Sequence, residues 1–131
     1  KVVLAALAAT LRLYRAGVAR TEIPVWRQLA APISELEARA KRLADATGTR
    51  AVETESTVGG GSLPGQVLPS WGVAIDGSAS AAGAQGLLDR LRAGEPSIIA
   101  RIDRDRVLLD LRTVGPADDE RLAVAIRAAI A

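Results

Sequence analysis

Apolar residues recur at helical spacing near both ends of the chain and alternate with polar ones in its middle. Leu4, Leu7, Leu11 and Tyr14 fall on one face of a helix, which Gly17 can end in a left-handed conformation. Thr21 to Pro24 read as a turn, with Pro24 suited to open a short helix and Pro32 to break it. Ser34-x-x-Glu37 has the form of a capping box, and Ile33, Leu36, Ala40 and Leu43 mark the buried face of a third helix that Gly48 closes. The period then falls to two. Val52, Thr54, Ser56 and Val58 alternate with Glu53, Glu55 and Thr57, which predicts a half-exposed strand. Trp71, Val73 and Ile75 alternate along a second strand that Asp76-Gly77 ends.

Ser80 can cap a helix whose inner face carries Leu87, Leu88 and Leu91, ending at Gly94. Ile98 to Ile102 and Val107 to Leu111 then read as two strands joined by the charged turn Asp103 to Arg106, a hairpin. Pro116 can open a last helix, with Asp118, Asp119 and Glu120 in its first turn, where the helix dipole favours negative charge. Leu122, Ile126 and Ile130 face inward. The order ααα-ββ-α-ββ-α predicts an α+β fold, a mainly antiparallel sheet packed against helices.

Composition narrows the chemistry. The 131 residues contain no Cys, His, Met or Phe, and only two Trp and one Tyr. The core is therefore aliphatic. Disulfides, thiolate metal sites, a cysteine nucleophile and a histidine base are all excluded. A net charge of +2, from 17 basic and 15 acidic residues, is too small to argue by itself for nucleic-acid binding. No stretch has the apolar length of a membrane span. The chain opens inside the first helical pattern, without Met or a capping residue, which leads us to expect a longer parent.

Two places carry candidate chemistry. With Arg104 and Asp105 as a two-residue loop, Asp103 pairs with Arg106 and Arg101 lies opposite Leu108. Arg101, Asp110 and Arg112 then share one face, two arginines to one carboxylate, while Ile98, Ala100, Ile102, Val107, Leu109 and Leu111 form the apolar face. Such forks suit phosphate or carboxylate oxygens; a solvated ion-pair face is the alternative. The second place is the loop VGGGSLPG, in which Gly59, Gly60, Gly61 and Ser62 can offer backbone N–H groups to an anion, or simply make a long turn. It lacks the spacing of a dinucleotide fingerprint or of a phosphate-binding lysine loop.

The segments KVVLAALAATLRLY, IPVWRQLAAPISELEARAKRLA, VGGGSLPG with LPSW, and IIARIDRDRVLLDLRTV occur in that order. Together they resemble the C-terminal part of the bacterial selenocysteine synthases, the L-seryl-tRNA(Sec) selenium transferases. The resemblance covers essentially the whole chain. It implies the small C-terminal domain of a fold-type-I enzyme using pyridoxal 5′-phosphate (PLP), with residues 1–20 as a connecting helix from a large domain and 21–131 as the α+β domain. It implies a cytoplasmic homo-oligomer that converts seryl-tRNA(Sec) to selenocysteinyl-tRNA(Sec) with selenophosphate. PLP would sit on a lysine of the large domain. Neither Lys1 nor Lys41 matches that lysine, so no catalytic residue is expected here and the piece alone should be inactive. Because the seryl carboxylate is esterified, Arg101, Arg112 and the Gly59–Ser62 run would meet selenophosphate or the phosphates of the tRNA terminus. A related PLP-dependent lyase acting on a small amino sugar acid, and a stand-alone α+β binding module, are the alternatives.

Overall fold

The computed structural model describes residues 1–58 and 65–131 and divides into two compact units, Lys1–Pro32 and Ile33–Ala131. The first unit is helical: α1 (Val2–Arg15), α2 (Ala19–Glu22) and α3 (Pro24–Ala30). Gly17 takes φ +73°, the left-handed position expected after α1. No residue of α1 is buried, and Leu4, Leu7, Leu11 and Tyr14 lie exposed along its length.

In the second unit, α4 (Ile33–Thr47) is followed by β1 (Arg50–Thr57), β2 (Val67–Asp76), α5 (Gly83–Ala93), β3 (Arg101–Asp103), β4 (Arg106–Asp110) and α6 (Asp119–Ile130). The strands form one antiparallel sheet in the order β1-β2-β4-β3, the α+β architecture the periodicities predict. Val73 pairs with Leu109 and Ile75 with Val107, so these side chains stand on one face of the sheet. They are buried there with Leu36 and Leu43 of α4, Leu87 and Leu91 of α5, and Leu122 and Ile126 of α6. Each such side chain contributes about 1.5–3 kcal/mol of burial free energy. Gly72 lets β2 and β4 close on each other, since a Cβ there would lie 2.2 Å from the carbonyl oxygen of Leu109.

The β3–β4 turn has the expected register, Asp103 opposite Arg106 and Arg101 opposite Leu108. Arg104 and Asp105 both take positive φ, +48° and +61°, as a two-residue hairpin loop requires.

Four details differ from the sequence reading. Helix α4 begins at Ile33, directly behind the fixed φ of Pro32; Ser34 is thus inside the helix, and Glu37 pairs with Lys41 at 2.6 Å instead of closing a capping box. Ser80 accepts from the N–H of Ala82 (3.2 Å) in a turn that precedes α5 rather than capping it. Ile98 donates its N–H to Leu91 at the end of α5 (2.9 Å), which holds residues 98–100 off the ladder and delays β3 to Arg101. Strand β4 stops at Asp110, because the chain turns into one 3-10 turn at Leu111–Thr113; a second, Pro116–Asp118, precedes α6.

Candidate functional site

On the sheet face opposite the core, Ser56 of β1, Ser70 of β2 and Asp110 of β4 meet. The Asp110 carboxylate accepts from the hydroxyl of Ser56, from that of Ser70 (2.6 Å) and from the backbone N–H of Arg112 (3.1 Å). The last of these is a side chain bonding backbone two residues on, the turn-forming habit of aspartate. The hydroxyl of Thr113 donates to the Asp110 carbonyl (2.8 Å) and tightens the same turn. Ser56 and Ser70 are buried, at 6% and 2% exposure, so their hydroxyls depend on this carboxylate.

Arg112 therefore does not continue a strand beside Arg101. It sits in the 3-10 turn, 7% exposed, and donates from Nη2 to the carbonyl of Pro69 at 2.6 Å. Arg101 is exposed and reaches across the same face, donating from Nη2 to the Thr54 hydroxyl (2.7 Å) and to the Glu55 carbonyl (3.0 Å). Glu55 and Pro69 are register partners. The two arginines thus converge on one rung of the β1–β2 pair, at a position where Pro69 has no N–H to give. The single shared carboxylate expected between them is instead held by two serines and a backbone N–H. Gly59, Gly60, Gly61 and Ser62 lie outside the described residues.

A residue missed by the sequence reading underlies this arrangement. Arg39 of α4 is 4% exposed. Its Nε and Nη2 donate to the Asp119 carboxylate (2.9 and 2.6 Å), its Nη1 to the Leu111 carbonyl (3.2 Å) and its Nη2 to the Val114 carbonyl (3.0 Å). The two carbonyls bracket Arg112, so Arg39 fixes the turn on which Arg112 is carried. The signal was present in the sequence: Arg39 stands three residues after Leu36 and four before Leu43, on the buried face of its helix.

Neither lysine is enclosed. Lys1 is exposed at the chain's start. Lys41 is 60% exposed, paired with Glu37, and has its ammonium 5.8 Å from the centre of the Trp71 ring. The residues of this chain do not by themselves fit a PLP aldehyde, which requires an enclosed lysine amine. Among the described residues no group of three or more His, Cys, Asp or Glu is placed to hold a metal ion, and no helix is long and apolar enough to cross a membrane. Asp76, at the far end of β2, has its carboxyl held below the ordinary range, first by the hydroxyl of Ser78, then by the Ser78 N–H, with smaller effects of Arg50 and Arg106.

The profile of the L-seryl-tRNA selenium transferase family matches residues 1–115. The L-seryl-tRNA(Sec) selenium transferase of Moorella thermoacetica is 43% identical over 135 residues, covering 96% of this chain and 28% of that protein. Its namesakes from Hyphomonas neptunium and Nitratidesulfovibrio vulgaris are 38% and 37% identical, covering 97% and 99% of the chain and 28% and 29% of their own lengths. The chain thus spans somewhat over a quarter of these relatives, their C-terminal part. On a match of this extent the chain belongs to the L-seryl-tRNA selenium transferase family.

Proposed function

We propose that this chain forms the C-terminal part of a PLP-dependent, homo-oligomeric enzyme that converts seryl-tRNA(Sec) to selenocysteinyl-tRNA(Sec) with selenophosphate. The observation that carries the reading is the family match over residues 1–115, together with relatives that are L-seryl-tRNA(Sec) selenium transferases. PLP belongs on a lysine outside these residues, and the chain alone is inactive.

The role of this part is to position an anion. The seryl carboxylate is esterified to tRNA, so the anions at hand are selenophosphate and the phosphates of the tRNA terminus. Arg101 offers an exposed guanidinium at the Glu55–Pro69 rung. Charge-assisted hydrogen bonds from such a fork are roughly twice as strong as neutral ones. Arg112 holds the Pro69 carbonyl and thereby β2.

The test is single-turnover transfer from selenophosphate in the full-length enzyme, with thermal melts alongside. Arg101→Ala is expected to slow transfer at least about tenfold, roughly 1.4 kcal/mol of transition-state binding, with melting unchanged. Arg112→Ala is expected to lower both rate and melting temperature, since it also removes a buried donor from Pro69. Wild-type rates in Arg101→Ala would assign that arginine to an ordinary solvated face.

A further inference from the structure

Charge is distributed unevenly between the two units. Lys1–Pro32 carries five of the chain's 17 basic residues but only one of its 15 acidic residues, Glu22. The whole net positive charge of the chain therefore resides in its first quarter. Arg12, Arg15, Arg20 and Arg27 are all exposed, and none of them is in a salt bridge among the described residues. Arg12 and Arg15, three residues apart on α1, share a side of the helix next to the Leu4-Leu7-Leu11-Tyr14 stripe. Arg20 lines an open, mainly apolar cleft of about 470 Å³ with Tyr14, Trp26 and Leu29. Trp26 is 40% exposed and Tyr14 49%, and the indole N–H donates to the Tyr14 hydroxyl at 2.5 Å. That bond fixes both rings without covering them.

Arg20 beside a half-exposed aromatic pair, on a unit whose other arginines are exposed and outside any salt bridge among the described residues, is the chemistry of a single-stranded nucleic-acid site: guanidinium groups for backbone phosphates and a ring on which an unstacked base can lie. A purely apolar partner would leave the arginines unsatisfied. We propose that Lys1–Pro32 is a contact surface for the tRNA substrate, with Arg12, Arg15, Arg20 and Arg27 on phosphates and Trp26 stacking an unpaired base. This rests on the tRNA-dependent reading above and extends it to the residues of the first unit.

The experiment measures binding of unacylated tRNA(Sec) transcript to the full-length protein across a salt series. Arg12→Gln/Arg15→Gln and Arg20→Gln/Arg27→Gln are compared with wild type and with the matching Arg→Lys pairs. Each Gln pair is expected to weaken binding at least about fivefold and to flatten the dependence of log affinity on log salt by about 1.4–1.8, the loss of two phosphate contacts. The Lys pairs keep the slope. Trp26→Ala weakens binding about tenfold while Trp26→Phe keeps most of it, because stacking needs the ring and not the indole N–H. Gln pairs that melt and bind like wild type, with an unchanged salt slope, overturn the proposal. So do Gln pairs whose melting or oligomeric state changes while the salt slope does not, which would give the surface to the rest of the protein or to a second copy. Binding to anionic phospholipid vesicles in place of tRNA overturns it as well. Absence of tRNA(Sec) binding by the wild type would instead refute the proposed function itself.

Discussion

Replacing Asp119 by Ala tests whether the second unit depends on a charge pair buried between helices far apart in the sequence. Asp119 gives the 4%-exposed Arg39 two hydrogen bonds, 2.9 and 2.6 Å long. Without it the guanidinium keeps only the carbonyls of Leu111 and Val114, at 3.2 and 3.0 Å, and no counter-charge. Stranding one partner of a fully buried pair costs about 3–5 kcal/mol. The Asp119 side chain is 28% exposed, so water reaches the site from that side and the expected cost is about 2–4 kcal/mol. For a unit of roughly 100 residues this is about 10–25 °C in melting temperature. Urea unfolding measures it directly. The double variant Arg39→Met/Asp119→Ala removes the stranded charge, so it is expected to cost less than the sum of the single changes by about 1–3 kcal/mol. A loss below about 1 kcal/mol in Asp119→Ala, or strict additivity in the double variant, would refute the view that the pair holds α4, α6 and the Arg112 turn together.

Two further outcomes follow from local geometry. Gly72→Ala places a methyl 2.2 Å from the Leu109 carbonyl oxygen and 3.3 Å from the Asp110 Cα, both backbone atoms. The strands must part, and a loss above about 3 kcal/mol in urea unfolding is expected; a loss below about 1 kcal/mol would show that β2 and β4 adjust freely. Asp76 is more acidic folded than its ordinary 3.8, so its ionised form stabilises the Ser78 turn above that pH, and the contribution is lost as pH falls through the lowered folded value. Asp76→Asn should therefore be less stable than wild type near neutrality and draw level with it in acid; a gap that persists unchanged below pH 3.8 would contradict the assignment.

The layers of the fold were legible because each helix and strand states its period within a few residues. Leu36, Ala40 and Leu43 need only their own helix to be read as a buried face, and Arg104-Asp105 needs only its flanking strands to be placed in a two-residue loop. The candidate site was less legible because its bonds join residues distant in the chain. Arg39 and Asp119 are 80 positions apart, and Ser56 and Asp110 are 54; no local pattern links either pair. The strand reading carried Val107, Leu109 and Leu111 in one alternation, and all three are indeed buried. Yet the backbone leaves the ladder after Asp110, because an aspartate carboxylate can bond the N–H two residues on and so favour a turn. That one turn separates the roles of two arginines that register arithmetic had made equivalent. Arg101 remains exposed, and in the proposed function it is the one that meets the anion. Arg112 is drawn down to 7% exposure against Pro69, where its charge organises the end of the strand pair. A conservative lysine discriminates between these roles. Arg101→Lys keeps a mobile cation and should retain much of the proposed anion contact. Lys at position 112 has a single donor centre in place of a rigid fork and should fail to hold the Pro69 carbonyl in the same geometry.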